Sequence, residues 1–92
     1  MDKKIEAVFA KMFEIAGYEF DPAMIQKEYE GEPYYLKTWT VEQQQQFCEW
    51  LVEQAKKDKD IAITFNVHVD LTPIAACAQF LIHYGFKTKK EA

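Results

Sequence analysis

Residues 61–69 alternate without a break between large apolar side chains and small or polar ones. The apolar set fills five odd positions out of five: Ile61, Ile63, Phe65, Val67 and Val69. A period of two predicts a half-buried β-strand. Because a lone strand leaves backbone donors and acceptors unpaired, this strand needs a neighbour. That neighbour is residues 34–38 of the same chain, the same strand of a second copy in a homodimer, or a strand of another protein.

The rest of the chain carries helical patterns, and two of them predict long helices. Apolar residues recur at helical spacing from about residue 2 to residue 16, and Gly17 stands where a glycine commonly ends a helix. A second long helix begins at Thr40, because Thr40 and Gln43 fit a capping box. It ends near the lysines at 56–57, whose positive charge suits the negative end of the helix dipole.

Proline marks the start of two more helices. Asp21-Pro22 opens a short one, and Thr72-Pro73 opens another over residues 73–84. The latter is apolar almost all round, which predicts that it is covered on most sides, at the centre of the fold or in a subunit interface. A length of 92 residues suits one domain spanning 1–92. We therefore expect a mostly helical α+β fold with three main helices, a short helix and a β-strand near 61–69.

The composition argues against nucleic-acid and membrane partners. The net charge is −4 and the chain contains no arginine, the usual bidentate reader of phosphate and guanine, so no direct nucleic-acid binding is expected. The amino terminus lacks the apolar core of a signal peptide, and no apolar run is long enough to span a membrane. The expected location is the cytoplasm, where Cys48 and Cys77 are most simply buried thiols.

Patterns typical of catalysis or metal binding are missing from the sequence. It has no serine for a Ser-His-Asp triad, both cysteines lie on apolar helix faces that disfavour the thiolate, and no His or Cys spacing matches a metal site. Glu49 and Glu53 lie four residues apart on the second long helix, but solvated surface is the simpler interpretation of this carboxylate pair. We expect no enzymatic activity, no cofactor and no metal.

Acidic and aromatic residues are concentrated between residues 28 and 39. Six of them would form a docking surface for a basic protein partner: Glu28, Glu30, Glu32, Tyr34, Tyr35 and Trp39. The alternatives are a solvated acidic loop, and aromatic residues that belong to the ordinary core or its boundary.

Two segments resemble a known group of proteins. Residues 39–43 read W-T-V-E-Q and are followed by Phe47 and Trp50, and residues 80–87 read F-L-I-H-Y-G-F-K. Together, over 39–51 and 80–87, they resemble small, uncharacterised proteins encoded by tailed bacteriophages. The strand predicted at 61–69 departs from that group. The resemblance implies a phage or prophage origin and transfers no active site.

These features favour a non-enzymatic protein-binding module. We expect it to act through the acidic and aromatic surface at 28–39, as a phage-encoded inhibitor or modulator of a host protein. The alternative is a structural protein that assembles with copies of itself and needs no foreign partner. Its interface would contain Ile63, Phe65 and Val67 on the apolar face of the predicted strand.

Overall fold

A computed structural model of the protein describes residues 3–17, 19, 38–84 and 87–88. Within these ranges the elements are α1 (Lys3–Ala16), β1 (Thr38–Trp39), α2 (Val41–Lys57), α3 (Lys59–Thr64), α4 (Pro73–Ala76), α5 (Ala78–Tyr84) and β2 (Lys87–Thr88). The prediction of a mostly helical chain is confirmed for this part of the protein. The short helix predicted to open at Asp21-Pro22 lies outside the described residues.

α1 forms as its apolar periodicity predicts. One face of the helix is buried, and it carries Val8, Phe9, Met12, Phe13 and Ala16. Gly17 follows the helix with a φ of 87°, in the left-handed region that glycine adopts at little cost. Its N–H donates to the Glu14 carbonyl at 3.1 Å, which satisfies one of the unpaired carbonyls of the last turn.

α2 is the central helix of the described residues, and its start is the predicted capping box. The Gln43 N–H donates to Thr40 Oγ1 at 3.0 Å, and the Thr40 N–H donates to Gln43 Oε1 at 2.8 Å. α1, α3 and α4 all pack against this helix. The predicted central position of the 73–84 helix is therefore wrong for this part of the protein, because α2 occupies that position.

The β-strand predicted near 61–69 is wrong, because helix α3 occupies the first part of that segment. Asp58 caps α3 by accepting a 2.9 Å hydrogen bond from the Asp60 N–H. The helix then ends in a Schellman motif, in which the Val67 N–H donates to the Ala62 carbonyl and the Asn66 N–H donates to the Ile63 carbonyl. Asn66 has a φ of 52°, a left-handed conformation that asparagine tolerates better than most residues.

The spacing of the alternating apolar residues is compatible with a helix as well as with a strand. Ile61 and Phe65 are four positions apart, so they share one helix face, and both are buried. Ile63 points the other way and is 78% exposed. Residues 34–37, most of the segment predicted to pair with that strand, lie outside the described residues. Its last residue, Thr38, belongs to β1, which pairs in parallel with β2 through Thr38–Lys87 and Trp39–Thr88. Residues 61–69 therefore form no strand through which two copies of the chain could pair.

The helix predicted over 73–84 is divided at Cys77 and is covered on one side. Cys77 has φ −101° and ψ 14°, outside regular helix geometry, and separates α4 from α5. The buried residues of this region are Ala76, Cys77 and Phe80. Ile74 and Ile82 are exposed, so the described residues of one chain do not cover this segment on most sides, and cover by a second subunit stays a prediction.

Phe80 of α5 packs against three other aromatic rings in the core. Its ring centroid lies 5.1 Å from that of Phe47, 5.4 Å from that of Phe65 and 5.6 Å from that of Phe9. These distances are in the range of favourable aromatic pairs, and they join α1, α2, α5 and the end of α3. Trp39 extends the cluster, with its ring 5.7 Å from that of Phe47.

Candidate functional site

Of the six residues predicted to form the acidic and aromatic docking surface, one lies within the described residues. Glu28, Glu30, Glu32, Tyr34 and Tyr35 lie outside the described residues. Trp39 is completely buried and packs against Phe47, so it belongs to the core and not to an exposed aromatic surface.

The predicted oligomer interface is divided between core and surface. Phe65 and Val67 are buried, whereas Ile63 is exposed on the outer face of α3. The three side chains therefore do not form one apolar surface. The cause is the helical conformation of residues 59–64, since positions two apart point in different directions on a helix.

A surface that the sequence analysis did not identify lies between the end of α3 and the end of α4. Val69, Leu71 and Ile74 are exposed there, Leu71 to 49% and each of the other two to 37%. We call these three residues the 69–74 patch. The Leu71 N–H donates to the His68 carbonyl, and the His68 N–H donates to the Ala76 carbonyl, both at 3.0 Å. The patch therefore sits on a segment that backbone hydrogen bonds fix to α4.

A groove of about 480 Å³ separates the 69–74 patch from α2. Its apolar lining comes from Val69, Leu71 and Pro73 on one side and from the side chain of Val52 on the other. Val69 and Leu71 are the two exposed apolar residues that border this groove.

The α2 side of the groove is charged. Glu49 and Glu53 lie one helical turn apart on this side, and Lys56 follows towards the end of the helix. Glu49 accepts a 3.3 Å hydrogen bond from Gln45 Nε2, which orients its carboxylate. An apolar floor beside a pair of carboxylates suits a ligand that carries an apolar side chain next to a positive charge.

The two thiols near the groove differ in acidity. Cys48 and Cys77 are both completely buried. The hydrogen bond with Cys77, together with burial, raises the pKa of the Cys48 thiol well above its ordinary value. Cys48 is therefore protonated at neutral pH, whereas the same hydrogen bond lowers the pKa of the buried Cys77 thiol.

The described residues contain neither a membrane-spanning helix nor a cluster of metal ligands. None of their helices combines the length and hydrophobicity required to cross a bilayer. No three of their His, Cys, Asp and Glu side chains form a group that could hold a metal ion.

The sequence contained a signal for the groove. Val69 and Leu71 flank Asp70 directly before Thr72-Pro73, so two large apolar residues stand in a stretch rich in turn residues. The alternating pattern includes Val69 as the last apolar position of a strand, so it favours a buried Val69 over an exposed one. Once the segment is a loop, apolar side chains in it have few core positions to occupy and remain at the surface.

Comparison with known proteins gives this chain no family. No protein-family model, no curated protein and no solved structure matches it. The function of the groove therefore has to be inferred from its own residues.

Proposed function

We propose that the protein is a non-enzymatic protein-binding module that holds its partner in the groove between α2 and the 69–74 patch. The observation that carries the proposal is the exposure of Val69 and Leu71 at the edge of this groove. Exposed apolar area on a fixed segment favours association, because its removal from water contributes roughly 25 cal/mol per Å².

The groove alone contributes only part of the affinity that a stable complex needs. Full burial of an exposed leucine or valine contributes roughly 1.5–3 kcal/mol, and the patch residues are already half-buried or more. A 1 μM complex requires about 8 kcal/mol, and stable interfaces bury roughly 800 Å² on each partner. The proposed interface therefore extends beyond the patch, and the acidic and tyrosine residues at 28–35 stay a proposed second part of it.

The chemistry of the groove defines the partner. Glu49 and Glu53 beside the patch favour a protein segment with an apolar anchor and a lysine or arginine next to it. With the resemblance over 39–51 and 80–87, the proposed partner is a host protein and the proposed role is that of a phage-encoded inhibitor or modulator.

An affinity capture with matched variants tests the proposal. The wild type, Leu71→Glu and Val41→Glu are immobilised in equal amounts and exposed to host lysate, and retained proteins are quantified by mass spectrometry. Val41 is exposed to a similar extent at the first position of α2, roughly 12 Å by helix rise from Glu49, the nearest residue of that helix in the groove lining. We expect the wild type to retain a stoichiometric partner. Leu71→Glu should retain about tenfold less of that partner, and Val41→Glu should retain as much as the wild type. Equal retention by all three would contradict the role of the groove.

Self-assembly is the second candidate, and a different observation favours it. Ile63 and Ile82 are 78% and 72% exposed, more than any residue of the 69–74 patch. Light scattering across a concentration series tests this candidate. A mass that rises with concentration in the wild type and stays monomeric in Ile63→Lys or Ile82→Lys would favour self-assembly, whereas a constant monomer mass would exclude it.

A further inference from the structure

The two cysteines of the chain meet in the core. Cys48 lies in α2 and Cys77 lies at the junction of α4 and α5, 29 positions later. The Cys77 thiol lies 3.7 Å from the Cys48 carbonyl oxygen, and both residues are completely buried.

We propose that Cys48 and Cys77 form an intramolecular disulfide site, whose oxidant is a small disulfide of the glutathione class. A disulfide requires the two residues to lie side by side, with Cβ atoms about 3.5–4.5 Å apart. The 3.7 Å contact places the Cys77 side chain directly against residue 48, which is the proximity that such a bridge needs. The break at Cys77 supplies the local adjustment, because its φ and ψ depart from those of a regular helix.

The oxidation balances as two thiol–disulfide exchanges. One cysteine loses its proton to solvent, and its thiolate attacks a sulfur of oxidised glutathione and releases one reduced glutathione. The second cysteine, deprotonated in turn, attacks the sulfur of the first and releases another. Two thiols are thereby oxidised and one oxidised glutathione is reduced to two thiols. Because both cysteines are buried, the exchange proceeds through transient opening of the core.

The bridge would fasten the two sides of the groove to each other. Cys48 directly precedes Glu49 on the α2 side, and Cys77 directly follows α4, whose first residue, Pro73, lines the opposite side. Closing a loop of this length restricts the unfolded chain, so oxidation should raise the melting temperature by roughly 10–20 °C.

The test is an equilibrium in glutathione buffers of graded redox ratio, reached from both the native and the denatured, reduced protein. Intact mass, gel filtration and thermal melting are recorded for each sample. The expected product is a monomer that has lost two hydrogen atoms, melts about 10–20 °C higher and returns to the starting mass in dithiothreitol. Approaching from the denatured protein removes the barrier of burial, so slow access cannot be mistaken for absence of the site.

Three results would overturn the proposal. They are a chain that remains reduced from both starting states, a glutathione adduct without an internal bridge, and a disulfide-linked dimer. The matched control is Cys77→Ala, which removes one thiol and leaves Cys48. Its melting temperature should be the same in oxidising and reducing buffer, and an oxidation-dependent rise in this variant would equally contradict the assignment.

Discussion

Gln43 of α2 donates through Nε2 to the carbonyl of Ile15 in α1, at 3.1 Å. The same side chain accepts from the Thr40 N–H through Oε1. One glutamine therefore satisfies a donor at the start of α2 and an acceptor in the last turn of α1. Both groups belong to the set that a helix cannot pair internally, so this contact fixes how the two helices meet.

Replacing Gln43 with alanine should cost more than a capping residue normally does. Gln43→Ala removes both hydrogen bonds, so we expect a loss of about 1–2 kcal/mol in the free energy of unfolding. Gln46→Ala is the control, since Gln46 is exposed on the same helix and the substitution is identical. It should change stability by less than about 0.5 kcal/mol. Urea denaturation measures both, and equal losses would contradict the double role of Gln43.

The helical conformation of 59–64 has a matched test in two isoleucines. Ile61 is 9% exposed and Ile63 is 78% exposed, although a strand would place them on the same face. Ile61→Ala should therefore cost about 2–4 kcal/mol, and Ile63→Ala less than about 0.5 kcal/mol. Comparable losses from the two substitutions would support the strand and contradict α3.

The sequence predicted the elements whose signals do not compete. α1 has one apolar face and a terminal glycine, and α2 has a capping box, so pattern and end signals agree at both helices. At 61–69 they conflict, because alternation favours a strand while Asp58 and Asn66 act as helix cap and helix stop. A short helix fits between these two signals, and the burial of Ile61 and Phe65 favours that helix over a strand.

The candidate site was less predictable than the fold, for a related reason. Its residues come from α2 and from a loop roughly twenty positions later, and only the packed structure brings them together. Glu49 and Glu53 looked like any solvated carboxylate pair, because nothing in the sequence placed Leu71 beside them. Tryptophan suits both cores and interfaces, so the sequence alone does not distinguish a surface Trp39 from a buried one, and its burial depends on contacts such as that with Phe47.

The burial of Trp39 can be read from its fluorescence. In a Trp50→Phe variant, Trp39 is the one remaining tryptophan, because the chain has two. We expect a blue-shifted emission that iodide quenches weakly in the folded state, and a red shift on unfolding. Native emission at the wavelength of the unfolded chain would place Trp39 at the surface, where the acidic and aromatic docking surface would include it.

The ion pair between Lys4 and Asp58 gives a pH dependence of known sign. Lys4 Nζ lies 2.9 Å from Asp58 Oδ2. Hydrogen bonding to Lys4 holds the pKa of Asp58 below its ordinary value of 3.8. A carboxyl whose pKa is lowered on folding adds stability that is fully present above its unfolded pKa and is lost as the pH falls through the folded value. The pair therefore contributes at pH 7 and weakens below about pH 4.

Asp58→Asn isolates this charge, because asparagine also caps helices. The variant should be less stable than the wild type at pH 7, and the difference should shrink as the pH falls below 3.8. The effect at pH 7 will be small, since the side chains are partly exposed. Thermal melts from pH 2 to pH 7 measure it. A difference that is independent of pH would mean that the substitution acts through the cap and not through the ion pair.

Methyl NMR of the protein, titrated with the captured partner, tests the central claim most directly. The isoleucine, leucine and valine methyl groups are labelled, so the groove and the other exposed apolar sites are observed in one spectrum. The account predicts that signals of Val69, Leu71 and Ile74 shift or broaden first, while Ile63 and Ile82 stay in place although both are more exposed. Shifts at Ile63 or Ile82 with an unchanged Leu71 would contradict it.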